Sequence, residues 1–454
     1  DLFNTVFTSV GISYHFKPKT TLTLLGSYYT TKEQETYDIQ GEYYLSDVDV
    51  QEQLGVGKYH EHARNFLHAN VANVGLQFKH AFKTHELQTG IEFQTQRIKE
   101  NATEWERRDS ADYSMPHHDD RLELIYSLRA KTELNTTRTQ FYAQDTWRFR
   151  QESGLFTLNY GVRVSNWSWN KETLISPRVS LGFIPSGNDQ FTFRFATGMY
   201  YQSPFYRELR DTVTTASGTI VNLNKDIKAQ QAIHVLFGGD YQFRLNSRPF
   251  RFTTEIYYKA LSNLIPYTIN NMRVEYYGEN MCKGHVMGLD FKMFGEFVPG
   301  TDSWITLSIM DAKQKFNGKS VPLPTDQRYN LSLFFTDYFP GTDKFKMTLK
   351  AALAGGLPFG TPHVGIDRYN FRAPAYRRVD IGMSYRLLNN DDHHIRKGVK
   401  ANFRNVWLGL DVFNLLDISN VNSYYWVTDI SNQRYAVPNY LTGRLLNFRI
   451  LMDM

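Results

Sequence analysis

Histidines and carboxylates gather at three places in the 454-residue sequence: His60, His62 and His68; His117, His118, Asp119 and Asp120; and Asp391, Asp392, His393 and His394. A His-x-His or His-His-Asp-Asp cluster brings imidazole nitrogens and carboxylate oxygens together at a spacing that suits a transition metal or haem iron. Solvated loops use the same residue types, and no zinc signature accompanies them, so no metal or cofactor is expected. A Gly-x-Ser-x-Gly elbow, a His-Glu-x-x-His helix and a phosphate loop are absent. Ser, His and Asp are plentiful, but nothing fixes their mutual geometry, and the sequence reads as a non-enzyme.

A second set of residues is suited to recognition. Tyr200, Tyr201, Tyr206 and Arg207 stand where an extended segment runs into a long polar stretch, and Trp167, Trp169, Tyr276 and Tyr277 occupy comparable positions. Aromatic platforms beside an arginine suit a sugar, a peptide or a siderophore. An aromatic girdle at a membrane interface requires the same residue types, so both readings stay open. A third set alternates with apolar neighbours: Arg163, Arg178, Arg194, Arg251, Glu255, Asp290, Lys292, Asp380 and Arg449. These would line a hydrated face, as an electrostatic lining, as mutual ion pairs, or as both.

The segments that carry these residues read as strands. Between His85 and Gln96, Leu87, Thr89, Ile91, Phe93 and Thr95 alternate with Glu86, Gln88, Gly90, Glu92 and Gln94. In an extended chain this puts the apolar groups on one side, whereas a helix would scatter them. The pattern recurs in Phe156–Val164, Phe191–Phe195, Phe250–Tyr258 and Leu446–Ile450. It predicts 17 strands, at approximately 3–16, 20–33, 66–82, 84–99, 136–150, 154–170, 173–185, 189–203, 228–244, 248–266, 280–297, 301–316, 325–339, 343–357, 374–388, 398–428 and 437–453. Short turns, such as Lys17-Pro18-Lys19 and Leu245-Asn246-Ser247, alternate with long polar stretches at 34–65, 100–135, 204–227, 267–279 and 358–373. Short periplasmic turns opposite long external loops are the rule of outer-membrane barrels. On that reading the clusters at 60–68 and 117–120 fall in external loops, and Asp391–His394 in a periplasmic turn.

Composition agrees. The chain carries 29 Tyr, 32 Phe and 7 Trp, yet its mean hydropathy is −0.46. A barrel reconciles the two, because each strand shows lipid only its alternate residues. No run of 18 apolar residues exists that could form a helical span. No compositional break divides the chain, so one architecture is expected throughout. The net charge of +5 is dispersed and gives no support for nucleic-acid binding. The single cysteine, Cys282, excludes an internal disulfide framework.

From about residue 136 onward, a series of short motifs appears in order: Tyr142-Ala143-Gln144-Asp145-Thr146-Trp147, Ser176-Pro177-Arg178-Val179-Ser180-Leu181, Phe195 to Pro204, Glu255-Ile256-Tyr257-Tyr258-Lys259, Gly288-Leu289-Asp290-Phe291, Asp326-Gln327-Arg328-Tyr329-Asn330-Leu331, Arg378-Val379-Asp380-Ile381-Gly382, and Leu410-Asp411-Val412-Phe413-Asn414-Leu415-Leu416-Asp417 followed by Gly443-Arg444. In that order they resemble the barrel of a TonB-dependent outer-membrane receptor, particularly those of Bacteroidetes. Asn414 and Asp417 interrupt a long apolar alternation where a bulge or a tight hydrogen-bonded bend can be accommodated.

The resemblance implies an all-β, transmembrane, antiparallel up-and-down barrel of 22 strands in the bacterial outer membrane. About 17 of these would lie in residues 1–454, as the C-terminal portion of the barrel. The plug and first strands would then come from the same protein or a second chain. It implies import of a scarce nutrient (siderophore, haem, oligosaccharide or peptide) driven by the TonB complex and the proton gradient. The expected partners are the lipid bilayer and lipopolysaccharide, the plug, the TonB complex and a surface lipoprotein, with no nucleic acid. A passive porin-like channel or a surface-binding barrel is the alternative.

Overall fold

The computed structural model describes residues 1–46, 53–108, 122–215, 218–270, 273–298, 300–339, 341–361, 365–366, 371–389, 398, 402–428 and 434–453. Seventeen strands form the wall: β1 (Leu2–Lys17), β2 (Thr20–Ser46), β3 (Gln53–Phe82), β4 (His85–Arg108), β5 (Glu123–Gln151), β6 (Gly154–Trp167), β7 (Glu172–Pro185), β8 (Phe191–Gln202), β9 (Gln230–Leu245), β10 (Arg248–Leu264), β11 (Cys282–Val298), β12 (Thr301–Phe316), β13 (Tyr329–Tyr338), β14 (Phe345–Ala354), β15 (Tyr376–Leu388), β16 (Asn405–Phe413) and β17 (Leu445–Asp453). Each pairs antiparallel with the next, so sequence order is spatial order. Among the described residues, β1 pairs only with β2 and β17 only with β16, which leaves one free edge at each side of the sheet.

Alternation divides the wall into two faces. Leu76, Ile91, Phe93, Phe195, Phe237, Ile256, Tyr258, Ile309 and Leu410 lie on the outer face and are exposed. Such a continuous apolar band exceeds what a water-facing surface carries and is stable against lipid. Near the short-turn end the outer face carries a chain of touching rings. It runs Phe82–His85 at 5.4 Å, His85–Trp147 at 5.5 Å, Trp147–Phe149 at 4.3 Å, Phe149–Phe156 at 5.2 Å and Phe156–Phe183 at 4.6 Å. Beyond Phe183 it continues through Phe193 and Phe191 to Tyr241, Phe243, Phe250 and Phe297. This belt crosses β3 to β11 and marks one membrane interface.

The turns follow from backbone chemistry. Between β9 and β10, Asn246 and Ser247 both adopt left-handed conformations (φ 51° and 66°). That is the geometry a two-residue hairpin needs to match the twist of its strands.

Four of the expected element boundaries need correction. Residues 34–46, 53–65, 100–108 and 123–135 are strand rather than loop, because β2, β3, β4 and β5 run for 27, 30, 24 and 29 residues. A strand crosses the hydrocarbon in roughly 9–11 residues, so these four continue beyond it as tall paired ribbons. Above the membrane both faces are wet, and apolar alternation, the signal that locates the lower strands, is no longer required.

The segment 398–428 is not one strand either. β16 ends at Phe413, where Asn414 and Asp417 turn left-handed (φ 50° and 53°). Asn414 Oδ1 accepts from the Ile418 N–H at 3.1 Å, and its Nδ2 donates to the Ile418 carbonyl at 3.0 Å. Val421–Thr428 instead pairs with Arg434–Tyr440 as a separate hairpin, so the last wall strand begins at Leu445 rather than near 437.

This bend joins three of the sequence motifs. The Asn414 N–H and the Arg378 Nε both donate to Oδ1 of Asp380, at 2.8 and 2.7 Å. Asp417 Oδ1 accepts from the Arg444 N–H at 2.8 Å. A similar lock surrounds Asp326, fully buried, whose carboxylate accepts from the Ala312 N–H at 2.9 Å, from Arg328 Nε at 3.1 Å and from Arg372.

Candidate functional site

The nine charged residues expected on the wet face, Arg163, Arg178, Arg194, Arg251, Glu255, Asp290, Lys292, Asp380 and Arg449, stand by register opposite the lipid-facing aromatics. Three of them share one network. Arg194 donates to Asp240 Oδ2 at 2.5 Å and to Glu255 Oε1 at 3.0 Å, and Arg251 donates to Asp240 Oδ2 at 2.8 Å. The Thr253 hydroxyl donates to Asp240 Oδ1 at 2.6 Å. Asp240, at the hub, is 3% exposed, and sequence reasoning missed it. Its place in Gly238-Gly239-Asp240, on the same alternation as His234, was the available signal. Arg449 pairs with Asp411 at 3.7 Å.

Further toward the long-loop end, cations and rings interleave on the inner face. The Arg178 guanidinium lies 4.4 Å from the Tyr200 ring centroid, and Tyr200 stacks on His234 at 4.3 Å. His234 stands beside Lys259, whose ammonium lies 5.2 Å from the Tyr257 ring. Arg163 lies 5.8 Å over Tyr142. Tyr201, one residue along, points to the outer face, where its hydroxyl accepts from Gln231 at 2.9 Å.

The connection between β8 and β9 folds inward. Tyr206–Leu209 make one turn of 3-10 helix, followed by a hairpin of Arg210–Thr215 and Gly218–Leu223. The second arm pairs parallel with Leu128–Ala130 of β5. β5 rises above β6, whose pairing with it begins only at Arg138, so that stretch of β5 would otherwise be an unpaired edge.

Tyr206 and Leu209 then pack with Ala69, Ile98, Leu134, Trp167, Ile227 and Ile265, with Trp169 and Tyr276 against them. Because this cluster joins the inner face of β3 to the end of β10, the sheet must curl around it. The structure thus brings Trp167, Trp169, Tyr206 and Tyr276 together, as an apolar seat inside the mouth. Arg207, beside them, is exposed. Tyr277 packs in a separate cluster with Phe316 and Cys282.

Polar contacts pin the loop on three sides. The Tyr206 hydroxyl donates to Glu100 Oε2 at 2.7 Å, and Arg210 pairs with the same carboxylate. Trp169 Nε1 donates to the Asn224 carbonyl at 2.9 Å, and Asn170 Nδ2 to that of Ile227 at 2.8 Å. Asn280 Oδ1 accepts from the Lys228 N–H at 2.7 Å. Glu208, 5% exposed, is held by the Phe205 N–H at 3.1 Å and Gln230 Nε2 at 2.9 Å. Burial pushes its carboxyl above the ordinary range, with those two donors opposing.

His60, His62 and His68 lie on strand β3 rather than in a loop, for the reason already given for the tall ribbons. They do not converge. His60 meets the Trp105 ring edge-on at 4.7 Å, and His62 stacks on it at 4.9 Å. His62 Nδ1 lies 2.5 Å from Asp38 Oδ1, while His68 Nε2 lies 3.4 Å from the Thr30 hydroxyl. Arg64, then His62, holds the Asp38 carboxyl below its usual value. Among the described residues no group of three or more His, Cys, Asp or Glu side chains is placed to hold a metal ion. His117–Asp120 and Asp391–His394 lie outside the described residues.

A 17-strand, lipid-faced wall with a polar interior and an inward-folded external loop can now be compared with known proteins. The ferric-catecholate import receptor Fiu of Escherichia coli K12 superimposes with a TM-score of 0.65 at 15% identity, covering 99% of this chain and 64% of that one. The ferric yersiniabactin uptake receptor FyuA of Yersinia pestis gives 0.62 at 14%, covering 99% and 61%. The siderophore receptor PiuA of Acinetobacter baumannii gives 0.61 at 14%, covering 99% and 64%. The chain thus spans less than two thirds of the length of these proteins, and identities this low speak for the fold alone. No curated protein matches the chain by sequence. A family profile described as TonB dependent receptor-like, beta-barrel matches residues 2–415. On that match, and with motifs, strand order and inner wall in agreement, the chain belongs to the TonB-dependent receptor β-barrel family.

Proposed function

We propose that this chain forms the wall and most of the external binding surface of an outer-membrane receptor that imports a scarce nutrient with TonB and the proton gradient. The observation that carries this reading is the inward-folded β8–β9 loop. It narrows the mouth above a charged inner wall, and the family match over residues 2–415 supports coupling of that mouth to TonB. The two free edges support a second part of the proposal. In lipid an unpaired strand edge leaves backbone groups unsatisfied, so further strands complete the barrel and a plug rests on the Arg194–Asp240–Arg251 face. Lipopolysaccharide surrounds the wall, and a surface lipoprotein meets the tall ribbons of β2 to β5.

Among nutrient classes, the strip of Arg163, Arg178, His234 and Lys259 beside Tyr142, Tyr200 and Tyr257 favours an anionic, ring-bearing ligand. A ferric catecholate, the chelate named for Fiu, has such chemistry. The test is growth of a deletion strain under iron limitation on single ferric chelates, with complementation by the wild-type gene and by a Tyr200→Ala, Arg178→Gln variant. Growth restored only by wild type, together with short-term uptake of the labelled chelate that a protonophore abolishes, supports the reading. Uptake that continues without the proton gradient would instead indicate a passive channel.

A further inference from the structure

Strands β11 and β12 carry a run of cations on the outer, lipid-facing side. Lys283 stands directly opposite Lys315, and His285 directly opposite Lys313, on consecutive rungs of the same face as Met287 and Ile309. One rung lower, Asp311 gathers Lys313 at 3.1 Å, Arg328 at 3.3 Å and His285 at 3.4 Å. That carboxylate compensates part of the charge. Lys283 and Lys315 are exposed, and among the described residues no carboxylate pairs with either. Like charges facing each other across a ladder are destabilising unless an anion lies between them.

The height of this run matters. Lys283 and Lys315 are each one residue from the long-loop ends of β11 and β12, strands of 17 and 16 residues. A crossing takes roughly 9–11 residues, so the ladder stands above the hydrocarbon, at headgroup level. Directly beneath it the outer face is hollowed into a cavity of about 920 Å³, lined by Val235, Phe237, Ile256, Met287 and Ile309 and bounded by Asp311 and Arg328.

An apolar groove open to lipid, topped by uncompensated cations, is the negative image of an anionic lipid. We propose that it holds one phosphorylated glycolipid of the surrounding outer leaflet, with acyl chains along the groove and a phosphate between Lys283, Lys315 and Lys313. The continuity of groove and ladder is what selects a lipid over a soluble anion. The proposal rests on the outer-membrane location given above.

The test uses the complete receptor in phosphatidylcholine nanodiscs, titrated with diphosphoryl lipid A and with the same lipid stripped of its phosphates. The expected result is preference for the phosphorylated form, weakened roughly tenfold or more in a Lys283→Gln, Lys315→Gln variant, since two charge-assisted contacts are lost. A Lys17→Gln, Lys19→Gln control at the opposite end of the wall should bind like wild type. Equal binding of the stripped lipid, an unaffected double variant, equal weakening in the control, or displacement by inorganic phosphate at lipid-like concentration would each overturn the site. Recovery of every variant from the outer-membrane fraction as a heat-modifiable barrel keeps the location itself separately testable.

Discussion

The phenol of Tyr206 donates a 2.7 Å hydrogen bond to Glu100, a residue 106 positions earlier in the chain. Through this bond the β8–β9 loop is fastened to the inner face of β4. Glu100 is buried and charged, so its remaining partners, Arg210 and Thr132, cannot fully replace the phenol. Tyr206→Phe keeps the packing of the ring and removes only the donor. The expected cost is about 1.5–3 kcal/mol in loop closure, seen as faster amide exchange across residues 206–223 with the wall strands unchanged.

Glu208 makes the same loop sensitive to pH. Its folded pKa is raised by burial above the ordinary carboxylate value. A raised folded pKa means that the stabilisation is fully present below the unfolded value and is lost as pH rises through the folded one. The loop is therefore tighter in mild acid than at neutral pH. Exchange rates of the 205–209 amides, corrected for intrinsic pH dependence, should show this trend in wild type and lose it in Glu208→Gln.

Asp240 is the hub of the inner wall. Asp240→Asn keeps the shape but leaves Arg194 and Arg251 without their common anion. Both guanidiniums are partly solvated, so the loss is smaller than for a dry ion pair, about 1–3 kcal/mol. Urea unfolding in detergent should show it, and Arg251→Met in the Asn background should recover part of it.

Asn414 holds a left-handed bend and bonds Ile418 through both ends of its amide. Asn414→Ala loses both bonds and leaves the Cβ strain of the left-handed backbone without the local hydrogen bonding that offsets it, for a cost of about 2–4 kcal/mol. Because the bend aligns β16 with β17, heat-modifiable barrel in membranes should fall. Asn414→Gly, which relieves the strain alone, should recover part of the loss.

The wall is legible in the order of residue types alone. Alternation is a local property, set by two residues at a time, and it located 17 strands, their order and their two faces. It also placed Arg194, Arg251 and Glu255 on the side where the structure joins them through Asp240. It could not show how far β2 to β5 rise, because above the lipid nothing forces an apolar period. The mouth, by contrast, is set by contacts between distant segments. Trp167, Tyr206 and Tyr276 are equally at home in a lipid girdle, a ligand platform or a packed seat. What places them together is a loop drawn inward by the exposed edge of β5 and by a buried glutamate far away in sequence. Such contacts have no period, so the residues at either end carry no local sign of meeting.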